Sequence, residues 1–411
     1  MNVWLIQIGE TLPIDPKIRR LRTTLLAEKL LERGHTVLWW ASAFDHLQKQ
    51  WVFNKETELE LKEGLRIKAL KGIEYTKNVS LKRFIDHRII AKRFKRLASR
   101  MPKPDVVIAS MPSHDLAYEA VTFAKNNNVP VLVDIRDPWP DIFINCIPSY
   151  LQKLAKIILH KDFQMVKKTM QNADGLLSMM NTLLIWGLGY AGRERTWKDR
   201  VFYLGYKRIM QSDGKSNRIS ELLNNLNNKF IVTFIGTFAS YHNPSILLDC
   251  AKRFVNSNIC FILAGDGELF PVIKDKASFL NNVVLPGWLN QDEITSLLQH
   301  SHLGVCPTSQ VADFFPNKSF SYLSEGLPII SAFQGDLRDI IEKHQIGFYY
   351  SPNDVDGLTN CIKKLYDDRN LYKKMSENTH TVFNEICDAD KIYDEYARHI
   401  EIVADDYNQT K

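Results

Sequence analysis

A lysine-containing segment around residue 318 has the residue types that bind a diphosphate. Pro316 lies where a helix could begin, and Asn317 and Lys318 would occupy its first turn, with Asp313 before it and Ser321 after it. Free amides at a helix start and a lysine side chain both attract phosphate oxygens. The pattern therefore predicts an anion-binding loop. The alternative is that Lys318 is a solvated surface residue.

Two glycine loops follow apolar runs in the same half of the chain. Gly236 and Thr237 end one run and precede a predicted helix near Pro244, so their amides and the helix dipole suit a phosphate. A plain tight turn has the same sequence. The second loop consists of Gly265, Asp266, Gly267 and Glu268. It resembles half of a dinucleotide fingerprint, but Phe270 replaces the third glycine, so NAD is only weakly indicated.

A charged loop follows the apolar run 129–134. Its ionisable residues are Asp134, Arg136, Asp137 and Asp141, and two prolines stiffen it. Buried acids need partners, so Arg136 is expected to pair with one of them. We favour a functional site over an ion-paired loop, because ligands of α/β sheets bind at strand ends. Gly9 and Glu10, after the first predicted strand, are a weaker signal of the same kind.

The net charge of +6 conceals two halves of opposite sign. Residues 1–205 contain 33 Lys+Arg and 21 Asp+Glu, whereas the remainder is acidic. The segment 77–103 contains ten basic residues and one acid, with apolar residues at helical spacing. A basic amphipathic helix suits an anionic membrane, with Lys92, Arg93, Lys95 and Arg96 as candidate contacts. An ordinary core-packing helix explains the apolar stripe equally well. Nucleic acid is disfavoured because no known binding motif accompanies the charge.

Composition excludes several classes of protein. The 411 residues are 45% hydrophobic and 24% charged, which is average for globular domains and excludes a disordered or collagen-like chain. The six cysteines form no CxxC pair, which disfavours a disulfide framework or zinc ribbon and suggests a cytoplasmic protein with reduced thiols. The N-terminus lacks the basic start of a signal peptide, and no spanning helix is expected. The uncharged segment 175–192 is interpreted as a buried strand followed by a helix.

Short apolar runs alternate with helical patterns along the whole chain. Strands are predicted near 3–7, 36–40, 65–70, 106–109, 129–134 and 175–179, and the pattern restarts at 230–235 after a linker around 205–215. Residues 148–170 are predicted to be helical. Such alternation indicates parallel sheets covered by helices. The fold class predicted is α/β, with two Rossmann-like doubly wound units.

In this combination the sequence resembles glycosyltransferase family 4, the retaining enzymes with the GT-B fold. The similar segments are RLRTTLLAEKLLERGHTVLWWAS, PDVVIAS, VPVLVDIRDPWPDIF, FIGTF, FILAGDGE, VVLPGW and PNKSFSYLSEGLPII. The nearest group is that of bacterial capsule and O-antigen enzymes similar to N-acetylfucosamine transferases. The resemblance implies two domains facing a cleft. Residues 1–205 would bind acceptor, with the helix over 387–403 as a candidate to pack back on them, and residues 206–386 would bind donor.

The resemblance also implies roles for the residues already singled out. The implied catalytic residues are Asp137, Arg136, Asp313 and Lys318. The implied donor-binding residues are Gly236, Thr237, Gly265, Asp266, Gly267, Glu268, Gly287, Trp288, Pro316, Asn317, Lys318 and Ser321. The implied acceptor-binding residues are Gly9, Glu10, Asp134 and Arg136. No metal or cofactor is expected.

The chain departs from the family pattern at three places. The paired glutamates of the family fall on Asp313 and Ser321, and Tyr241, His242 and Asn243 stand where the family has an Arg/Lys pair. Arg136 aligns with the family's N-domain histidine. Lys318 is then the remaining cation for the diphosphate. Sugar specificity is the property most affected by these differences.

The implied activity is transfer of a sugar, an N-acetylated aminosugar by analogy, from a nucleotide diphosphate donor such as a UDP-sugar. The acceptor would be lipid-linked, on a polyprenyl diphosphate, or a saccharide, in synthesis of capsular polysaccharide or lipopolysaccharide. The enzyme would work in the cytoplasm at the inner face of the membrane. Two alternatives remain open: a UDP-aminosugar 2-epimerase-like enzyme, and an inactive scaffold of a polysaccharide assembly complex.

Overall fold

The computed structural model describes residues 1–15, 18–78, 80–111, 113–145, 147–208 and 217–410, which form two compact units. The first unit is Met1–Tyr203 with Asp390–Lys411, and the second is Leu204–Ala389. Most of the predicted linker 205–215 lies outside the described residues, as does Cys146. The other five cysteines are free thiols.

The first unit is built on an eight-stranded sheet with the order β10-β9-β8-β7-β1-β2-β6-β5. Its strands, with those of a small hairpin, are β1 (Asn2–Ile6), β2 (Thr36–Ser42), β3 (Phe44–Asp45), β4 (Gln50–Trp51), β5 (Thr57–Lys62), β6 (Leu65–Leu70), β7 (Val106–Met111), β8 (Val131–Ile135), β9 (Gly175–Ser178) and β10 (Arg200–Val201). Neighbouring strands are parallel except for β5 and β6. The antiparallel edge and the β3–β4 hairpin were not predicted, because β5 lies in a charged segment without an apolar run and the hairpin strands have only two residues each.

Seven helices connect these strands: α1 (Arg22–Glu32), α2 (Leu81–Ala98), α3 (His114–Asn126), α4 (Asp141–Asn145), α5 (Ser149–Ile158), α6 (His160–Asn172) and α7 (Asn181–Ala191). The helical segment predicted over 148–170 is confirmed, and the structure divides it into α5 and α6 at Leu159. The strand and helix predicted within 175–192 are confirmed as β9 and α7. Central strands such as β7 and β8 are buried along their whole length, as their continuous apolar runs require.

The second unit is built on a parallel six-stranded sheet with the order β13-β12-β11-β14-β15-β16. Its strands are β11 (Phe230–Ile235), β12 (Ile259–Ala264), β13 (Val283–Gly287), β14 (Leu303–Cys306), β15 (Ile329–Ser331) and β16 (Gly347–Tyr349). Its helices are α8 (Asn217–Asn224), α9 (Ser245–Lys252), α10 (Phe270–Ala277), α11 (Gln291–His300), α12 (Asn317–Ser324), α13 (Asp336–His344), α14 (Val355–Asp367) and α15 (Arg369–Val382). The second unit also contains a 3₁₀ helix, Ser240–His242, and a π-helix, Phe383–Cys387.

The last helix, α16 (Ala389–Gln409), belongs almost entirely to the first unit. Tyr396 on α16 stacks on Phe202, with ring centroids 4.5 Å apart, and the guanidinium of Arg22 lies 5.0 Å from the same tyrosine ring. The main sheets of both units are of the predicted α/β class, and they are parallel except for the β5–β6 pair. Among the described helices, none is long and apolar enough to cross a membrane.

Candidate functional site

Lys318 carries a buried ammonium group. Helix α12 begins at Asn317 after Pro316, as predicted, and Lys318 lies in its first turn. The Nζ atom lies 3.9 Å from the centre of the Phe234 ring and has no hydrogen-bond partner among the described residues. Burial lowers the pKa of Lys318 to about 8. A desolvated cation without a counterion is costly, which is typical of a group that awaits an anion.

Glycine at position 236 leaves room for this lysine. Gly236 has φ 137°, and a Cβ built there would lie 3.1 Å from Lys318 Nζ and 3.3 Å from Cε. A side chain would therefore both strain the backbone and displace the ammonium. The N–H of Gly236 donates to the carbonyl of Ala264, so it is not available to a phosphate as predicted. Thr237 is exposed, and its N–H donates to none of the described backbone carbonyls.

Three predicted donor loops converge at the ends of adjacent strands. The N–H of Gly265 donates to the carbonyl of Gly287, and the N–H of Phe238 donates to the carbonyl of Asp266. A Cβ on Gly265 would lie 1.8 Å from the carbonyl oxygen of Gly236, so only glycine fits this approach. The ends of β11, β12 and β13 thus form one polar edge.

The other predicted donor residues line or support this edge. Trp288 exposes 66% of its surface directly after β13. Glu268 is exposed and accepts hydrogen bonds from the N–H and the hydroxyl of Ser240, which lowers its pKa and fastens one glycine loop to the next. Gly267 lies against Phe238, because a Cβ there would meet the Phe238 backbone within 3.0 Å.

His242, which stands where the family has a basic residue, is a neutral neighbour of Lys318. Burial, with the nearby Lys318 charge, lowers the pKa of His242 to about 4. Its Nδ1 has no hydrogen-bond partner among the described residues. The site thus contains one cation and one neutral imidazole instead of two cations.

Asp313 and Ser321 occupy different surroundings. The Asp313 side chain lies at the start of α13, because a Cβ on Gly335 would be 1.8 Å from its Oδ1. A carboxylate there is favoured by the helix dipole. Ser321 is buried on α12, and its carbonyl accepts from the Ser324 hydroxyl. Their roles toward a sugar or ribose stay predictions.

In the first unit, the predicted acceptor residues form a closed ionic network. Asp134, which is completely buried, accepts from Arg22 at 2.9 and 3.0 Å and from Arg136 at 2.9 Å. Arg136 also donates to Glu10 and to the Thr23 hydroxyl. The pairing predicted for Arg136 is confirmed. The two guanidinium groups lower the pKa of Asp134 to about 2 against the opposing effect of burial. Each of these charges is already neutralised without a ligand.

Asp137 differs from its neighbours in this loop. It is exposed, yet the surrounding protein desolvates its carboxyl and raises its pKa against the opposing charges of Arg83 and Arg136. The Arg83 guanidinium lies 4.4 Å from the Trp139 ring centre, and its Nε has no hydrogen-bond partner among the described residues. Arg83 was not predicted as a site residue, because it lies within a basic helix where every cation looks alike.

The four predicted membrane contacts lie on α2, whose apolar stripe is mostly packed. Ile90 and Phe94 are completely buried. Arg93 and Arg96 face Glu56 at 2.9 and 3.7 Å, and Lys95 faces Glu119 at 3.1 Å. Lys92 lines an open cavity. This packing favours the core-helix alternative for the stripe, and the membrane role of these residues stays a prediction.

The fold also assembles an acidic cluster that the sequence did not reveal. His114, Asp115 and Asp162 place one ligand atom each within 4.8 Å of one another. Arg88 already bridges the two acids, 3.0 Å from Asp162 and 3.5 Å from Asp115. The cluster is an ion-pair network, and we assign it no metal.

Most of the second unit is similar to a known protein family. Residues 216–382 match the family model described as "Glycosyl transferases group 1". The chain is 29% identical over 182 residues to UDP-Gal:alpha-D-GlcNAc-diphosphoundecaprenol alpha-1,3-galactosyltransferase of Escherichia coli, covering 41% of this chain and 46% of that protein. It is 27% identical over 184 residues to O-antigen chain mannosyltransferase C of Escherichia coli, covering 44% and 48%. The chain thus spans about half the length of these curated relatives.

Solved structures are similar over nearly the whole chain. Anabaena Alr3699/HepE, solved in complex with UDP, has a TM-score of 0.65 at 14% identity, covering 98% of this chain and 99% of that one. WaaG, a glycosyltransferase involved in lipopolysaccharide biosynthesis, has a TM-score of 0.61 at 12% identity, covering 97% and 99%. At such identities the likeness establishes the fold. The chain has the GT-B fold, with two parallel-sheet α/β domains, and residues 216–382 are similar to the glycosyl transferases group 1 family.

Proposed function

We propose that this protein is a glycosyltransferase that moves a sugar from a nucleotide diphosphate donor, a UDP-sugar, to a lipid-linked or saccharide acceptor with retention. The observation that carries the proposal is the buried ammonium of Lys318, which lies beside the glycine loop at Gly236 and has no hydrogen-bond partner among the residues that the structure describes. This arrangement lies within the group 1 domain and offers a positive charge to an anion.

The second unit would bind the donor through its diphosphate. When the bond between the sugar and the diphosphate breaks, negative charge develops on the leaving phosphate oxygens. Lys318 and the N–H of Thr237 would stabilise that charge, and stabilisation of this kind is often the largest contribution to a rate. Asp313 would contact the transferred sugar. Ser321 would contact the ribose, where its hydroxyl forms a weaker hydrogen bond than a carboxylate does.

The first unit would bind the acceptor at the end of β8. Glu10, Asp134 and Arg136 satisfy one another, so we assign them to shaping the loop. Asp137, exposed and with a raised pKa, would orient the attacking hydroxyl, and Arg83 would face the acceptor's own anionic group. This revises the direct acceptor contacts implied for Asp134 and Arg136.

UDP and a diphosphate-linked lipid are supported by the relatives. One relative's name specifies UDP-Gal and a diphosphoundecaprenol acceptor, and one similar structure holds UDP. We propose on this basis a role in bacterial surface polysaccharide synthesis at the inner face of the membrane. An N-acetylated aminosugar is the transferred group that we would test first.

The donor is tested by the thermal stability of the protein with UDP, GDP, TDP or NAD. A ligand at about 100 times its Kd stabilises the folded state by about 2.7 kcal/mol. We expect a rise in Tm with UDP alone, and its loss in Lys318→Met. Lys374→Met, which changes an exposed lysine on α15, is the matched control and should keep the full rise.

Two results would contradict the proposal. A Tm rise with NAD alone would indicate a different class of enzyme. An equal UDP effect in wild type and Lys318→Met would remove Lys318 from the donor site. UDP binding without turnover of any acceptor would instead favour the scaffold alternative.

A further inference from the structure

Helix α5 turns its apolar face toward solvent. None of its residues is buried, although it has a strongly amphipathic sequence. Its large apolar side chains expose between 40% and 79% of their surface: Tyr150, Leu151, Leu154, Ile157 and Ile158. Their spacings of three and four residues place them on one face. A surface helix normally buries that face against its own domain, so this one is built to meet an apolar surface elsewhere.

Only a narrow side of α5 packs against the rest of the first unit. Gln152 and Ala155 are partly buried, and the Gln152 side chain donates to the Ile147 carbonyl at 3.3 Å. The polar residues outside the apolar face include Lys153 and Lys156, and the helix contains no acid. α5 is therefore a basic amphipathic helix with its apolar side free.

A basic cavity of about 450 Å³ is lined by α2, α3 and α6, the helix that follows α5 along the chain. Among the residues that line it, the cations are Arg88, Lys92, Lys161 and Lys168, and the acids are Asp115 and Glu119. Both acids already face cations, Asp115 facing Arg88 and Glu119 facing Lys95. Among the described residues, no carboxylate forms an ion pair with Lys92, Lys161 or Lys168. The cavity therefore offers three uncompensated ammonium groups to an anion.

We propose that α5 and this cavity form a docking surface for an anionic lipid bilayer. The apolar face would enter the boundary between headgroups and acyl chains, and the lysines would contact lipid phosphates. The inference deepens the proposed function by giving the membrane contact a position. It is carried by exposure and charge in the first unit, independently of the donor site.

Charge complementarity selects a membrane over a second copy of the chain. A symmetric dimer through α5 would bring the same lysines of two copies together, with no acid on the helix to offset them. A bilayer containing phosphatidylglycerol supplies both an apolar interior and a negative surface. The surface differs from the four cations predicted on α2, of which only Lys92 lines the cavity.

The test is cosedimentation of the full chain with vesicles of phosphatidylethanolamine and phosphatidylglycerol. We expect wild type to bind these vesicles and not vesicles of phosphatidylcholine. The double variant Leu154→Glu/Ile157→Glu should lower the vesicle partition coefficient roughly a hundredfold, because two apolar side chains lose their burial. The triple variant Lys153→Gln/Lys156→Gln/Lys161→Gln should lower it on the order of a hundredfold at low salt.

The matched control is Val272→Glu/Phe279→Glu, which places the same two charges on exposed apolar residues of the second unit. It should bind vesicles as wild type does. Undiminished binding of the Leu154→Glu/Ile157→Glu variant would overturn the proposal, as would absence of wild-type binding. A dimer of wild type in sedimentation velocity that this variant converts to monomer would overturn it in favour of self-association.

The same variants are melted with and without UDP. A retained UDP effect together with lost vesicle binding shows that α5 acts apart from the donor site. If wild type does not bind vesicles but is stabilised by UDP, the docking surface is overturned and the proposed donor site stands. A missing UDP effect with intact vesicle binding would overturn the proposed donor instead.

Discussion

The two units bury charge in opposite ways. In the first unit, Asp134 and Arg22 lie completely inside the protein, and each ionic group has a partner of opposite sign within 3.0 Å. In the second unit, the ammonium of Lys318 is buried against an aromatic ring without a hydrogen-bond partner among the described residues. The arrangement around Asp134 is complete in the free protein, and we expect an anion to complete the one around Lys318.

The difference shows how to separate scaffold from site. Removing one partner of a buried ion pair destabilises the folded protein, because the other charge is left buried without a counterion. A buried single charge lowers stability while it is present. The pKa of Lys318, about 8 against an ordinary value of 10.5, corresponds to a cost of roughly 3 kcal/mol for keeping the ammonium charged. Opposite responses to mutation are therefore expected in the two units.

Asp134→Asn should have the largest effect. It strands the guanidinium groups of Arg22 and Arg136, and we expect the free energy of unfolding of the first unit to fall by about 3–5 kcal/mol. Urea unfolding followed by tryptophan fluorescence measures this, because seven of the eight tryptophans lie in that unit.

The control for Asp134→Asn is Glu58→Gln, which removes the carboxylate shared by surface ion pairs with Lys68 and Arg66. It should cost at most about 1 kcal/mol. If Asp134→Asn were equally mild while acceptor use collapsed, the network would be part of the acceptor site and not its scaffold.

Lys318→Met should separate stability from activity. It keeps most of the length of the side chain and removes the desolvated charge, so the protein without ligand should become more stable, by up to about 3 kcal/mol. Turnover should fall on the order of 10²–10³-fold, because the leaving diphosphate loses its cation. Calorimetry and initial rates measure the two effects. A destabilised and fully active variant would place Lys318 among ordinary structural residues.

The pH dependence of UDP affinity should report the same group. The folded protein loses the Lys318 proton near pH 8, whereas the unfolded chain keeps it to about 10.5, so stability without ligand should rise through that window. In the proposed donor site UDP binds the charged ammonium, so its affinity should weaken by up to about tenfold per pH unit above 8. Calorimetric titration between neutral pH and the lysine range measures this. Lys318→Met should show neither trend, and a wild-type affinity that is flat across this range would contradict the assignment.

The sequence predicted the sheet strands and the donor loops better than the side-chain partners. The run 230–235 and the helix start at Pro316 are local features, and the structure has both as predicted. The use of the Gly236 N–H by Ala264, and the sealing of Arg136 between Asp134 and Glu10, depend on neighbours far along the chain. Hydrophobic periodicity predicts helices and strands, but it carries no information about which charged side chains will form ion pairs.

The same limit explains helix α5. The spacing of its apolar residues is typical of an amphipathic helix, but it does not tell whether the apolar side faces the domain or solvent. The structure shows that α5 faces the domain with the side that carries Gln152 and Ala155, and this leaves the apolar stripe exposed to solvent. Sequence therefore identified an amphipathic basic segment in the first half but placed the predicted membrane contact on α2, whose stripe is mostly packed.

Arg83→Met tests whether the contrast between the units extends to the acceptor side, and its expected effect is the smallest. Arg83 donates to the Asn78 carbonyl at 2.8 Å, but its Nε has no partner within the described part of the chain. Burial lowers the pKa of Arg83 despite the nearby Tyr75, Asp137 and Asp86. By the logic of Lys318, this partly satisfied cation should bind an anionic group of the acceptor. We expect the acceptor KM to rise about tenfold, the worth of one charged hydrogen bond, with donor KM unchanged. Steady-state kinetics with the acceptor and donor varied in turn measure this. Equal changes in both constants, or a loss of stability as large as that of Asp134→Asn, would return Arg83 to the scaffold of the first unit.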